Sequence, residues 1–220
     1  MNKWLNSPVN GYIEKFGVST KPVIYEVGSR DGHDGVELAQ RIYAGEPHKV
    51  FGSSEIVLFE CNPPHIRAIQ QNYPQVTLVT KAVSDKPGTA EFLQIHGDKN
   101  YMGSSSLDLD RTDYSWVKQT STISVEVTTL AKIIEELGHQ SSDIDIMKID
   151  IEGYTMEALR GLGKYLRNVK VFHLETEVEG KARKETNLDI ALFMEQKGYK
   201  CIGLDYEWPP SIQDQTWVRL

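Results

Sequence analysis

Short apolar runs rich in valine and isoleucine alternate along this chain with segments whose apolar residues recur every three or four positions. The first runs are VIYEV (23–27), IVLF (56–59) and VTLVTKAV (76–83), and each has the length of a strand. Helical spacing follows the first two runs, as expected for amphipathic helices. Alternation of strands with helices indicates a parallel sheet that is covered on both faces. We therefore predict an α/β protein with a doubly wound, mostly parallel sheet.

The second half of the chain continues this alternation and then departs from it. IDIMKID (144–150) and VKVFHLE (169–175) are further strands, and a helical stretch follows each. The last two runs, YKCIGL (199–204) and TWVRL (216–220), leave no room between them for a crossover helix. Parallel neighbours need a crossover of a dozen or more residues. We therefore expect an antiparallel hairpin at the C-terminal end of the sheet.

The longest stretch without periodicity lies between two alternating runs. AEFLQI (90–95), an added antiparallel strand, precedes it and ISVEV (123–127) follows it. Residues 96–122 are rich in glycine, serine and aspartate, and a loop of this length within a compact domain is usually functional. We predict a single domain over 1–220, with an N-terminal extension over 1–20 and an active-site loop over 96–122.

Composition and charge narrow the classes of function. The 220 residues carry a formal net charge of −7, which argues against nucleic acid as a partner because phosphate binding needs clustered Lys and Arg. No apolar run has the length of a signal peptide or a membrane span. Cys61 and Cys201 lack metal-ligand spacing, and without an export signal we expect reduced thiols. The expectation is a cytoplasmic protein with no membrane span.

Three segments should meet at the carboxyl ends of the first three strands, where doubly wound sheets bind ligands. YEVGSRDG (25–32) is a strand followed by a glycine turn, LFECNPP (58–64) ends its strand in an acid, and AVSD (82–85) ends the third strand. A carboxylate after the second strand can accept both hydroxyls of a ribose. We predict that these segments bind a nucleoside-containing cofactor through Glu26, Gly28, Ser29, Arg30, Asp31, Gly32, Glu60, Cys61, Asn62, Ala82, Val83 and Ser84.

The first turn favours a positively charged cofactor over a dinucleotide. The NAD fingerprint needs G-x-G-x-x-G, so that backbone amides meet a pyrophosphate. Here Glu26 and Asp31 place carboxylates beside the turn, and two carboxylates would repel a pyrophosphate by about 1 kcal/mol or more per close pair. They suit a ligand with an ammonium, a sulfonium and a ribose, while Arg30 can meet its carboxylate. S-adenosylmethionine has all four groups.

Taken in order, these segments resemble the FkbM family of S-adenosylmethionine-dependent methyltransferases. The resemblance covers roughly 22–175 and continues through MGSSSL (102–107), TTLAKII (128–134) and KIDIEGYTMEALRGL (148–162), the most specific block. Cys61 stands where the family more often has proline, and Thr155 where an acid is usual, but neither removes a proposed functional group. The resemblance implies a Rossmann-like class I methyltransferase fold. It also implies methylation of a hydroxyl oxygen, often on a sugar or natural product, so the expected partner is a small-molecule or glycan acceptor.

An alcohol oxygen is a poor nucleophile until its proton leaves, so a base or a metal ion is expected beside the transferred methyl group. Asp150 ends its strand at that rim and is the first candidate, as base and as cofactor contact. Glu152 faces the same way if the strand persists, and its nearness would raise one pKa of the pair. Lys148 would hold the pair together or orient the acceptor. The alternative is that Asp150 and Glu152 cap the next helix.

The next strand end, HLETE (173–177), adds a second set of candidates. Glu175 is predicted to accept a hydrogen bond from a substrate hydroxyl. With Asp150 and His173 it offers a divalent-metal site of carboxylate and imidazole type, but strand-end acids more often meet water, so we assign no metal. Ser105 lies on the long loop, which suits closing over cofactor and acceptor.

Three other functions remain open. An N-methyltransferase would need less help from Asp150. An NAD-type oxidoreductase is disfavoured by the missing second glycine and by Glu26. A non-catalytic cofactor-binding module is disfavoured because both rims, at Glu60 and at Asp150, carry usable groups.

Overall fold

A computed structural model describes residues 5–17, 19–43, 54–96, 105–109, 119–178, 186–206 and 212–220. The helices are α1 (Asn6–Phe16), α2 (His33–Ile42), α3 (Pro63–Asn72), α4 (Leu130–Glu136), α5 (Thr155–Leu162) and α6 (Asn187–Gln196), and a 3-10 helix (Gly163–Asn168) follows α5. The strands are β1 (Val23–Val27), β2 (Glu55–Phe59), β3 (Thr77–Val79), β4 (Ala82–Val83), β5 (Gly88–His96), β6 (Gln119–Thr128), β7 (Ile144–Ile149), β8 (Val169–Glu177), β9 (Tyr199–Tyr206) and β10 (Ile212–Arg219). None of the described helices is both long and apolar enough to cross a membrane.

Seven strands form the main sheet, in the order β3-β2-β1-β7-β8-β10-β9. The five strands from β3 to β8 pair in parallel, and β10 runs antiparallel to both β8 and β9. The prediction of a doubly wound, mostly parallel sheet with an antiparallel C-terminal hairpin is therefore confirmed. The chain winds outwards in opposite directions from β1 and β7, so the crevice of the switch point lies between their carboxyl ends.

A second sheet, in the order β4-β6-β5, corrects the prediction of one continuous third strand over 76–83. Thr77–Val79 pairs with β2, whereas Ala82–Val83 leaves the main sheet and pairs with β6. The flanking strands β5 and β6 are longer than predicted, because threonines and serines at the start of β6 pair with β5. The predicted loop is shorter at both ends, and much of it, 97–104 and 110–118, lies outside the described residues.

Helices cover both faces of the main sheet. Tyr25, Phe172 and Trp217 are buried on the face packed by α4, α5 and α6. Ile24 and Ile146 are buried on the opposite face, which α1, α2 and α3 pack. The predicted N-terminal extension contributes α1 to this core, since Tyr12 is fully buried there.

The α1 and α2 face changes from apolar to polar towards the carboxyl ends of the parallel strands. Because side chains alternate along a strand, the residue two positions from each buried aliphatic lies on the same face, after it on the parallel strands and before it on the antiparallel β10. Those residues are polar, neighbours in register and buried, and they form one row across four strands: Glu26, Lys148, His173 and Thr216. The charged positions that look out of place in the sequence thus form a buried polar row beneath the switch-point crevice.

Gly28 lets the turns after β1 and β7 approach each other closely. Its φ is +86°, and a Cβ at this position would lie 1.8 Å from the carbonyl oxygen of Asp150. The Asp150 N–H donates to the Val27 carbonyl at 2.9 Å, which holds the two turns at this separation. No residue other than glycine fits this position without moving one of the turns.

We expect Gly28→Ala to lower the free energy of unfolding by more than the strain of a positive φ alone, which is about 1–3 kcal/mol. The extra loss arises because the added methyl group overlaps the Asp150 carbonyl. Gly138→Ala is the matched control, since Gly138 has a φ of +77° and no atom within 4 Å of an added Cβ. Urea unfolding of both variants measures the difference, and equal losses would contradict the close approach.

Candidate active site

A cleft opens at the carboxyl ends of β1, β2 and β7, and the second sheet forms its outer wall. Nine of the residues predicted to contact a cofactor line it: Gly28, Arg30, Glu60, Cys61, Asn62, Ala82, Val83, Ser105 and Asp150.

Glu60 occupies the acidic position at the end of β2. Its Oε2 accepts the Arg30 N–H at 2.9 Å and its Oε1 accepts the Asn62 N–H at 2.7 Å, so both oxygens are fixed by backbone donors. His65 Nδ1 lies 3.5 Å from Oε2. A carboxylate has about four lone-pair sites, so each oxygen can still accept a hydrogen bond from a ligand hydroxyl.

The wall formed by the second sheet is apolar. Phe92 of β5 and Ala82 and Val83 of β4 face the cleft beside Cys61. Burial, together with the charge of Glu60, raises the pKa of the Cys61 thiol, so the side chain stays neutral. This wall can pack against a flat, weakly polar ring.

The other predicted cofactor residues, among them Asp31 and Ser84, do not line the cleft, and three of them shape it from below. Glu26 accepts the Gly35 N–H at the start of α2 at 2.9 Å. Ser29 donates to the Glu26 carbonyl and accepts the Phe59 N–H, which joins the ends of β1 and β2. A Cβ on Gly32 would lie 2.8 Å from Leu58, so this glycine brings α2 onto the sheet.

Several lining residues escaped the sequence reasoning, namely Val27, Phe59, His65, Lys81, Phe92, Leu107, Ile151 and Tyr154. Most lie next to predicted residues in the chain, and Phe92 belongs to AEFLQI, which was predicted to be an added antiparallel strand. The sequence gives no signal for the break between β3 and β4, which places the second sheet over the cleft.

Lys148 is the centre of a buried charge network. Its Nζ lies 2.7 Å from Asp150 Oδ2 and 3.2 Å from Asp34 Oδ2, and the side chain is only 8% exposed. Although burial alone would lower it, the carboxylates of Asp150, Asp34 and Glu26 raise the pKa of Lys148 well above its usual range. Burial raises the pKa of Glu26 well above its ordinary value, even though Lys148 opposes this rise.

Asp150 and Glu175 form a coupled pair at the ends of β7 and β8. Burial would raise the pKa of Asp150, but Lys148 outweighs burial and holds it below its ordinary value. Burial raises the pKa of Glu175, and the negative charges of Asp150 and Glu152 raise it further. Lys148 therefore favours the ionised form of Asp150, whereas burial beside other acids favours the protonated form of Glu175.

Glu152 reaches this pair through a turn and not along a strand. β7 ends at Ile149, and Glu152 has a left-handed φ of 54°. Arg30, with a φ of 49°, is the other non-glycine residue with a positive φ in the described part of the chain, and both line the cleft. Such strain clusters at functional sites. Ser106 donates to the Glu152 carbonyl at 2.7 Å and so ties the turn to the second sheet.

Asp150, Glu152 and Glu175 form a cluster of acids, in which one carboxylate oxygen of each residue lies within 4.8 Å of the others. His173 lies below these acids and does not belong to the cluster. His173 Nδ1 lies 3.1 Å from Thr216 Oγ1, within the polar row. The sequence offered His173 as the third member of this group, with no metal assigned to it. In the structure Glu152 is the third member, because the left-handed turn brings that acid back over the strand end.

The fold is that of the Rossmann-like methyltransferases. Magnesium protoporphyrin IX methyltransferase (ChlM) from Synechocystis PCC 6803 with bound SAM superimposes with a TM-score of 0.50 at 13% identity, over 98% of this chain and 78% of that one. The same enzyme with bound SAH also gives a TM-score of 0.50, at 12% identity over 98% and 81% of the two chains. At such identities the likeness concerns the fold alone.

The chain belongs to the FkbM methyltransferase family, since the methyltransferase FkbM domain matches residues 26–201. Its relatives include the 2-O-methyltransferase NoeI of Sinorhizobium fredii (strain NBRC 101917 / NGR234), which is 26% identical over 163 residues. That alignment spans 70% of this chain and 63% of the length of NoeI. The family that the sequence resemblance predicted is therefore confirmed.

We expect Lys148→Met to lower the free energy of unfolding at neutral pH by about 3 kcal/mol or more, because it leaves buried carboxylates without their cation. In the unsubstituted protein, ionised Asp150 contributes to stability at pH values above 3.8, the ordinary pKa of the group. This contribution is lost as pH falls through the lower pKa of the folded state. Charged Lys148 contributes to stability at pH values below 10.5, its ordinary pKa, and this contribution is lost as pH rises through the higher pKa of the folded state. Between pH 5 and 8 both contributions are constant.

The variant should lose stability more steeply than the unsubstituted protein as pH rises from 5 to 8, because the pKa of Glu26, which burial already raises, rises further without the opposing charge of Lys148. Urea unfolding at both pH values measures this slope. Lys132→Met is the control, since Lys132 pairs with Glu136 at 3.7 Å on the surface, and such pairs contribute little. A pH-independent loss would contradict the charge network.

Proposed function

We propose that this protein is an S-adenosylmethionine-dependent O-methyltransferase that acts on a hydroxyl group of a small-molecule, sugar or glycan acceptor. The observation that carries the proposal is the position of the Asp150 and Glu175 pair. Asp150 is part of the cleft lining, and Glu175 lies beside it on the outer side, facing solvent-accessible space near Gly153 and Thr155. A donor in the cleft and an acceptor outside it would meet at Asp150.

The cleft residues fit the parts of this cofactor. Glu60, with two fixed oxygens, suits the ribose hydroxyls, and the apolar wall of Ala82, Val83 and Phe92 suits adenine. Gly28 keeps the turn after β1 close to the turn at Asp150, and Arg30 supplies a cation for the carboxylate of the amino-acid part. S-adenosylmethionine, when bound, supplies a methyl group on a positively charged sulfur. The negative charge on Asp150 favours a cation at this point.

The acid pair suits a hydroxyl acceptor. Asp150 is ionised and accepts hydrogen bonds only, so an acceptor hydroxyl at the rim would donate to it. The proton of that hydroxyl becomes more acidic as the oxygen gains its bond to carbon, so even a carboxylate with a lowered pKa can take it. Lys148 keeps Asp150 ionised and oriented, and is therefore a positioning residue.

The relatives support oxygen as the acceptor atom, because NoeI is named a 2-O-methyltransferase. Three acids at the rim also favour an acceptor with several hydroxyl donors over a phosphorylated or carboxylated one, since like charges repel. An amine acceptor would be charged at neutral pH and would need to lose its proton first.

We expect the protein to bind S-adenosylhomocysteine, and Glu60→Gln to weaken this binding about tenfold or more, equivalent to about 1.4 kcal/mol. The amide offers one acceptor oxygen where the carboxylate offers two, so it cannot keep both backbone donors and a ribose. Isothermal titration calorimetry measures the dissociation constant. Glu91→Gln, an exposed position on β5, should bind unchanged. Binding of NAD in place of S-adenosylhomocysteine would refute the cofactor assignment.

We expect Asp150→Asn to lower the rate of methyl transfer by about 100-fold or more, the usual effect of losing a general base. Transfer from S-adenosylmethionine labelled in its methyl group to a panel of glycosides and aminoglycosides measures the rate, and mass spectrometry places the methyl group. Near-ultraviolet circular dichroism checks that the variant is folded. A folded variant with full rate would refute the role of Asp150, and methylation of nitrogen alone would refute the acceptor class.

A further inference from the structure

The inner face of the second sheet changes from apolar to polar along β5. Side chains alternate along this strand, so Ala90, Phe92 and Gln94 lie on the same face. Ala90 and Phe92 belong to the apolar cluster of this sheet, together with Cys61 of the cleft. Gln94 continues the row, is 9% exposed and pairs in register with Ser121 of β6. A buried amide therefore follows the apolar wall, and buried amides need hydrogen-bond partners.

Gln94 is the middle of a chain of hydrogen bonds that leads to the cleft. Its Nε2 donates to Asn62 Oδ1 at 2.7 Å, and its Oε1 accepts the Ser121 hydroxyl at 3.2 Å. Because Ser121 has one proton to donate, its oxygen accepts from His96 Nε2, which lies 2.6 Å away. Each link fixes the direction of the next, so the chain determines that the oxygen of the Asn62 amide faces Gln94.

Asn62 does not have the role that its position in a helix favours. It is the N-cap of α3, where an asparagine side chain usually accepts a backbone N–H of the first turn. Here the side chain makes no such hydrogen bond and reaches β5 instead. Its Oδ1 is held by Gln94, and its Nδ2 has no hydrogen-bond partner in the part of the chain that the structure describes. Asn62 is only 4% exposed and lines the cleft, so this donor is available to a ligand there.

We propose that Asn62 Nδ2 donates a hydrogen bond to a ring nitrogen of the purine base of the cofactor, and that Gln94 is the positioning residue that keeps this donor in the cleft. The ring nitrogens N1, N3 and N7 of adenine carry no proton and accept hydrogen bonds. The apolar wall beside Asn62 packs against the face of such a ring, while the amide meets its edge. The inference rests on the proposed function, because it assigns a contact to S-adenosylmethionine.

Isothermal titration calorimetry on the purified full chain tests the contact. The ligands are S-adenosylhomocysteine and its 1-deaza, 3-deaza and 7-deaza analogues, in each of which a C–H group replaces one ring nitrogen. One analogue should bind about fivefold more weakly than S-adenosylhomocysteine, the usual effect of losing one hydrogen bond between neutral groups. Asn62→Leu should weaken binding of S-adenosylhomocysteine by at least a similar factor, and it should bind that analogue and S-adenosylhomocysteine equally well.

Gln94→Glu tests the positioning role. A carboxylate cannot donate to Asn62 Oδ1, so the Asn62 amide turns over, its Nδ2 donates to the carboxylate and its oxygen faces the cleft. Binding of S-adenosylhomocysteine should weaken by about tenfold or more, because the ring nitrogen then meets an acceptor. The preference for S-adenosylhomocysteine over the sensitive analogue should also disappear. If Gln94 only stabilised the sheet, all four ligands would weaken by the same factor.

Glu91→Gln, at an exposed position of β5, is the control and should bind every ligand as the unsubstituted protein does. Near-ultraviolet circular dichroism checks the fold of each variant, and the analogue series on the unsubstituted protein needs no variant. The inference is overturned if S-adenosylhomocysteine and all its analogues bind equally well, or if folded Asn62→Leu or Gln94→Glu keeps the selectivity. Failure of the unsubstituted protein to bind S-adenosylhomocysteine at all would instead overturn the proposed cofactor, and the inference with it.

Discussion

The buried ammonium of Lys148 is the interaction on which the site depends. It joins Asp34 at the start of α2 to Asp150 at the end of β7, and it faces Glu26 on β1. A charge in this position is costly unless several opposite charges surround it. The network therefore fixes three elements at once, and it does so directly beneath the crevice where β1 and β7 diverge.

Backbone contacts, together with the ion pairs of Lys148, hold the turns around the cleft in place. Gly28 allows the Asp150 carbonyl to lie against the first turn, and Ser106 ties the Glu152 carbonyl to the second sheet. The two strained residues, Arg30 and Glu152, line the same cleft. Strain persists only where the surroundings determine the conformation. The cleft is thus preorganised by its turns, while the strands supply a rigid frame.

Much of the fold was predictable because strand and helix periodicities differ, and because a hairpin was the only connection that the C-terminal runs allowed. The break after Val79 was not predictable, since VTLVTKAV carries an uninterrupted strand pattern and only the pairing of Ala82–Val83 with β6 divides it. Within the site, the acid after β2 and the glycine turn could be predicted, because each is a characteristic residue type at the end of a strand. Phe92 and Tyr154 were not, because they reach the cleft from elements whose placement depends on that break.

KIDIEGY illustrates the division between sequence and tertiary structure. By itself, the sequence determined which residues carry charge, which strand they end, and that Gly153 turns the chain, because these properties follow from residue type and local periodicity. Only the tertiary structure decided that Lys148 binds Asp34 as well as Asp150, and that the carboxylates of Glu175 and Glu152 lie close to that of Asp150. Those contacts depend on register between strands distant in the chain and on a left-handed φ at a glutamate, and no local pattern encodes either.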